Sequence, residues 1–155
     1  MIRKVIPSFI FVLLLISCKN DNYFQKSETI SQPGWALNQI ISFNDSLNSN
    51  APEKLHLEIN IRHTNIYPYQ NIWLFVQTKG SDGSVRKDSV NWTLSEPNGR
   101  WLGAGWGSFY DVSYQLKDIV IHKTKGKKRW FSIEIQHGLR DEHIEGIETV
   151  GVRLY

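Results

Sequence analysis

The sequence predicts an all-β protein: a single antiparallel β-sandwich, jelly-roll-like, of about 7–8 strands, behind a signal peptide and a short tether. Three observations carry this prediction. Apolar and polar residues alternate with a period of two in several segments, as half-buried strands require. Clusters of Gly, Pro, Asn and Asp separate those segments at short intervals. No segment shows a sustained helical apolar stripe.

The first element is a targeting segment. Arg3 and Lys4 precede an apolar run from Val5 to Ile16, broken only by Pro7 and Ser8. A small residue, Ser17, then stands before Cys18. A charged start, an apolar centre and a small residue at the cut describe a secretory signal. The run is too short to span a bilayer, which takes about 20 apolar residues. Leu15-Ile16-Ser17-Cys18 resembles a bacterial lipobox, whose cysteine carries a thioether-linked diacylglycerol and an N-acyl (palmitate-type) chain. The alternatives are an ordinary signal with an unpaired cysteine, or an uncleaved anchor, which the polar Asn20-Asp21-Asn22 disfavours. Cys18 is the sole cysteine, and an odd cysteine in an exported chain needs an explanation. The domain plan is therefore 1–17 signal peptide, 18–33 lipidated N-terminus and flexible tether, and 34–155 sandwich. Loss of Arg3 and Lys4 takes 18 basic residues to 16 against 15 acidic ones, so the net charge falls from +3 to +1. The apparent basicity belongs partly to the targeting segment and argues nothing about nucleic acid. Without a disulfide, stability must come from packing, in which six Trp, six Tyr and seven Phe can take part.

Beyond the tether, Pro33-Gly34 signals a turn and Trp35 the domain edge. Ile40–Phe43 reads as a short strand and Asn44–Glu53 as a loop. Leu55, Leu57, Ile59 and Ile61 alternate with His56, Glu58, Asn60 and Arg62, the clearest half-buried strand of the chain. Tyr67-Pro68-Tyr69 breaks it. Ile72–Val76 is continuously apolar, as for a strand covered on both faces. Gly80-Ser81-Asp82-Gly83 is a hairpin turn, Val85–Leu94 a strand and Glu96-Pro97-Asn98-Gly99 a turn. Three glycines in Gly103–Gly107 imply a bulge or tight backbone. Val112, Tyr114 and Leu116 alternate, Ile119 and Ile121 resume in shifted phase, and Lys123–Lys128 forms a basic turn. Phe131, Ile133 and Ile135 make another strand. Gly138–Gly146 is irregular, with room for one helical turn, and Val150, Val152 and Leu154 close the sheet.

Motifs for catalysis are missing: there is no Gly-x-Ser-x-Gly, His-Glu-x-x-His or phosphate-cradling loop. His56, His63, His122, His137 and His143 lack zinc-ligand spacing, so neither a metal nor another cofactor is expected beyond the lipid on Cys18. Asp141, Glu142, Glu145 and Glu148 read as a solvated face rather than an acid–base pair. Lys123, Lys125, Lys127, Lys128 and Arg129 read as a charged hairpin tip that discourages edge aggregation; contact with phosphate or anionic lipid is the alternative. Trp73 and Trp92, inside strands, are expected in the core. Trp101 and Trp106, beside glycines, are either core or binding surface.

At Gly99-Arg100-Trp101-Leu102-Gly103 the chain resembles the GldH family, gliding-motility lipoproteins of the Bacteroidetes. The resemblance spans nearly all of the mature chain. It takes in the lipobox, Trp35, Arg62-His63, Tyr67-Pro68 with Asn71, Gly105, Gly107, Arg140, Gly146-Ile147 and Val150-Gly151. Two positions depart: Leu139 stands where Met is expected and Thr149 where an acidic residue is expected. The resemblance implies a non-enzymatic, lipid-anchored component of the gliding apparatus associated with type IX secretion, with no catalytic residues. The expected interaction surface comprises Arg62, His63, Arg100, Trp101, Trp106 and Arg140. Its expected partners are the membrane and other gliding or secretion envelope proteins, with no nucleic acid or small-molecule substrate. Lys19 after the cysteine favours the outer membrane, and Lys19-Asn20-Asp21 matches the charged surface-export signals of Bacteroidetes lipoproteins only in part, so the domain is expected to face the periplasm. The alternative function is a membrane-tethered carbohydrate-binding module.

Overall fold

A computed structural model of the protein describes residues 22–123, 126 and 128–155. The signal segment, Cys18, the start of the tether, and Lys125 and Lys127 of the basic turn lie outside the described residues. Among the described residues there are thirteen strands, more than the seven or eight expected, and no helix. The larger sheet runs in the order β1 (Phe24–Thr29), β13 (Ile147–Leu154), β5 (Leu57–Thr64), β9 (Phe109–Gln115) and β8 (Ala104–Trp106). The smaller runs β3 (Ile41–Leu47), β11 (Arg129–His137), β6 (Asn71–Gly80) and β7 (Val85–Thr93). Two ribbons, β2 (Trp35–Ala36) with β12 (His143–Ile144) and β4 (Lys54–Leu55) with β10 (Ile119–Val120), add the remaining strands. All pairings are antiparallel.

The two sheets bury one core between them, because each inner strand places an aliphatic side chain at every second position. Leu57, Ile59 and Ile61 of β5 and Val150, Val152 and Leu154 of β13 share it with Phe43, Leu74, Val76, Ile133 and Ile135 of the other sheet. Each such side chain contributes about 1.5–3 kcal/mol by leaving water. Aromatic pairs span the gap between the sheets at two places. Phe24 meets Phe131 edge-on at 5.0 Å, and Trp92 stacks on Tyr114 at 4.4 Å, with the Tyr114 hydroxyl donating to the Thr93 carbonyl.

Four expectations are corrected here. The stretch read as a flexible tether contains β1, which pairs residue by residue with β13 from Phe24↔Leu154 to Thr29↔Thr149. The polar Asn44, Asp45 and Ser46, read as loop, extend β3 to Leu47 along β11. The segment 138–146 holds β12 rather than a helical turn. The fourth concerns β6, whose outward positions Trp73 and Phe75 are 42% and 48% exposed although the whole run is apolar. The smaller sheet is therefore covered on its inner face and open on its outer one.

Arg129, expected at an exposed basic tip, is buried. Its guanidinium donates to the carbonyls of Ala51 (2.7 Å), Pro52 (2.7 Å) and Ile121 (2.8 Å), satisfying the loop that covers one end of the core. Charged residues sit instead on the sheet edges. Lys26 pairs with Glu28 on β1 at 2.6 Å and Arg86 with Asp88 on β7 at 2.5 Å, in positions that discourage pairing with another strand.

Candidate functional site

The start of the first described strand and the expected interaction surface lie at opposite ends of the sandwich. Tyr23 N–H donates to the Leu154 carbonyl at 2.8 Å, and Leu154 pairs with Leu57 at the start of β5. The surface collects around Thr64, at the other end of β5. Seven residue steps of strand separate them, about 24 Å.

Three loops build that far end. Gly99, in the left-handed region at φ +85°, closes the turn after β7, and its N–H donates to the Glu96 carbonyl at 2.9 Å. The turn delivers Trp101 opposite Ser95, and Leu102 N–H donates back to the Leu94 carbonyl. At Gly103 (φ +86°) the chain then passes so near β9 that a β-carbon would sit 2.2 Å from the Asp111 carbonyl oxygen. The β8–β9 hairpin turns through Gly107-Ser108, with Trp106 opposite Phe109 at its tip. The 65–70 loop is tied to that tip by the Asn65 N–H donating to the Ser108 carbonyl at 3.1 Å.

His63 lies beneath these loops. It continues the inward phase of Leu57, Ile59 and Ile61 and has no exposed surface. Its ring meets Trp101 edge-on at 4.7 Å and stacks on Tyr110 at 5.5 Å, with Tyr67 at 5.9 Å. Nδ1 is 3.1 Å from the Thr64 carbonyl, so a neutral ring protonated there donates to it, while Nε2 faces no hydrogen-bonding atom. Burial pushes its pKa below the usual histidine value, against the opposing pull of the Thr64 carbonyl and the Asp111 charge. Tyr67, also buried, donates to the Asn71 carbonyl at 2.9 Å, and burial raises its pKa strongly. Tyr69 packs edge-on to Tyr67 and donates to both Asp141 oxygens at 2.9 and 3.0 Å.

The six expected surface residues divide in three. His63 is removed from the surface altogether, and Trp101, half-buried, serves as its lid. Arg62 and Trp106 share the outer face of the larger sheet with Asp111 and Phe109, since strand register puts all four in one phase. The Arg62 guanidinium grips Asp111 through two bonds of 2.8 and 2.9 Å. Trp106 is 88% exposed. Arg100 and Arg140 lie farther out and exposed. Arg100 is paired with Glu96, whose carboxylate holds the guanidinium pKa above its usual value. Sequence reasoning missed Ile66 and Phe109, both exposed beside the same tip. It also missed the position of Trp73. The signal for His63 was present: it falls in the apolar phase of its strand.

Such an architecture defines an aromatic-capped β-sandwich with an exposed tryptophan hairpin at the end away from the start of the chain's first strand. The GldH lipoprotein family matches residues 22–154, and the chain belongs to that family. It is 29% identical to the gliding motility lipoprotein GldH homolog of Christiangramia forsetii, over 98% of this chain and 96% of that one. It is 26% identical to the gliding motility lipoprotein GldH of Flavobacterium johnsoniae, over 92% and 89% respectively. Among solved structures, the infectious bursal disease virus VP2 subviral particle aligns with 84% of this chain and 38% of its own at 14% identity, with a TM-score of 0.22.

Proposed function

We propose that this protein is a non-enzymatic, lipid-anchored envelope component of the gliding apparatus, tethered through a diacylglycerol and N-acyl group on Cys18. Its far end docks another protein of the apparatus, in association with type IX secretion. The names of the two relatives support the gliding role. Lys19 after the cysteine supports the outer membrane, and the partial match of Lys19-Asn20-Asp21 to surface-export signals supports a domain facing the periplasm. Trp106 is the observation that carries the docking role. A large aromatic ring 88% exposed at a hairpin tip is costly to leave in water and typical of interface anchors. Phe109 and Ile66 beside it, with the Arg62–Asp111 pair as a polar rim, match the anatomy of a protein interface.

Geometry supports the direction of docking. Five residue steps separate Cys18 from Tyr23, at most about 18 Å of chain, so the anchored end stays close to the bilayer. Trp106 then projects outward from it. The test is Trp106→Ala in the full-length protein, with affinity purification from its own envelope and a colony-spreading assay. The expected result is normal abundance and fold, loss of co-purified gliding or secretion components, and reduced spreading. Unchanged partners and spreading would remove the far end from the function. Cys18→Ala should release the protein from the membrane fraction.

A further inference from the structure

We infer that the outer face of the smaller sheet is a second binding site, separate from Trp106, and that it takes a glycan strand of N-acetylated hexosamines. Trp73 and Phe75 stand two positions apart on β6, about 6.6 Å along the strand, and both project away from the core. Gly138 makes room for them: a β-carbon there would meet the Phe75 ring at 3.0 Å and the Trp73 Cβ at 3.3 Å. Beside Phe75 runs a shallow groove of about 440 Å³, bounded by Ile40, Gln77, Lys87, Ser89, Glu134 and Gln136. That volume lies in the range of small-ligand sites.

The floor is held in fixed positions. Gln77 donates to one Glu134 oxygen at 2.6 Å and Lys79 to the other at 2.7 Å. The Gln136 amide donates to the Leu37 carbonyl at 2.6 Å. Near Trp73, Asn71 donates to Asn91 at 2.6 Å. Lys79 neutralises Glu134, so the groove offers amide, hydroxyl and carboxylate atoms together with the single positive charge of Lys87.

Three features choose the ligand. Two aromatic faces at strand spacing suit stacking against the apolar faces of successive sugar rings. β6 is paired on both sides, by β11 and β7, so a peptide has no open backbone edge to add to, and recognition rests on side chains alone. Ile40 next to Gln136 supplies an apolar contact beside an amide, the combination an acetamido group needs. A second copy of this chain fits less well. Trp73, Phe75 and Ile40 lie toward one end of the face and Trp130 and Val85 toward the other, with Gln77, Lys87 and Glu134 between them, so the face lacks the continuous apolar centre of an obligate dimer.

The experiment titrates the full-length protein in detergent with chitohexaose, followed by tryptophan fluorescence and calorimetry. Cellohexaose, which lacks acetamido groups, runs beside it. The expected result is saturable chitohexaose binding, weakened at least 10-fold by Trp73→Ala or Phe75→Ala and several-fold by Gln136→Ala. Trp73→Phe and Phe75→Tyr, which keep the ring faces, should retain most of the affinity, and Trp106→Ala should leave it unchanged. Circular dichroism confirms that each variant is folded. Absence of saturable binding, or full affinity in both ring-to-alanine variants, overturns the site. Equal affinity for cellohexaose overturns the acetamido assignment. A dimer in sedimentation that Trp73→Ala dissolves, without glycan binding, makes this face a self-association surface and overturns the proposal.

Discussion

Gly103 and the carbonyl of Asp111 are so closely apposed that no side chain fits between them: a β-carbon on Gly103 would lie 2.2 Å from the oxygen. This contact seats the Trp101 loop against β9 and closes the aromatic box over His63. Gly103→Ala should therefore destabilise the protein by roughly 2–4 kcal/mol, from the clash together with the φ of +86°. Gly107→Ala is the control. It is also left-handed, at φ +64°, but meets nothing within 4 Å, and should lose only about 1–2 kcal/mol. Urea unfolding of both variants measures the difference.

Stability should fall as pH drops from about 6.5, with its slope set by the two buried histidines. Burial lowers the pKa of both His63 and His137. Below the unfolded-state value near 6.5 the unfolded chain binds more protons than the folded one, so unfolding free energy rises with pH in that window. The contribution is complete above pH 6.5 and diminishes as pH falls toward the folded values. His63→Phe should flatten that part of the profile, and denaturant midpoints between pH 5 and 7.5 test it.

Arg129→Lys should cost about 2–4 kcal/mol although it preserves the charge. A single ammonium cannot reach the Ala51, Pro52 and Ile121 carbonyls together, and each buried acceptor left unpaired is penalised by about 1–3 kcal/mol. Thermal unfolding reads this directly. A loss no larger than that of an exposed Lys128→Ala would contradict the buried role.

The Arg62–Asp111 pair should matter little to folding. Both side chains are about half exposed, at 49% and 52%, where such pairs yield at most about 1 kcal/mol. A double-mutant cycle should return a coupling within that limit. The same substitutions should weaken partner capture together with Trp106→Ala, since the pair lies in the rim of that surface.

The parts of the fold legible in the sequence were those buried on one face only. Leu57, Ile59 and Ile61 announced β5 because the positions between them meet water. The edges were hidden by the same logic. On β1, Lys26 and Glu28 occupy inward-phase positions as a charged pair, so no apolar alternation marks the strand, and Asn44–Ser46 concealed the end of β3 in like manner. On β6 the error ran the other way: Trp73 and Phe75 are apolar yet outward, which made an open face look covered. The glycines of 103–107 pointed correctly to tight backbone. That Arg62 would meet Asp111, or Tyr69 meet Asp141, depended on strand register and loop packing, which residue types alone do not encode.

The pairing of β1 with β13 joins Phe24 to Leu154, residues 130 positions apart. An interaction of such high contact order forms late. The larger sheet cannot acquire its edge strand until residue 154 is in reach, and through the preceding stages of synthesis β1 is without its partner. For a chain exported and lipidated at Cys18, as proposed above, this late pairing keeps the domain from closing around the modified end too soon.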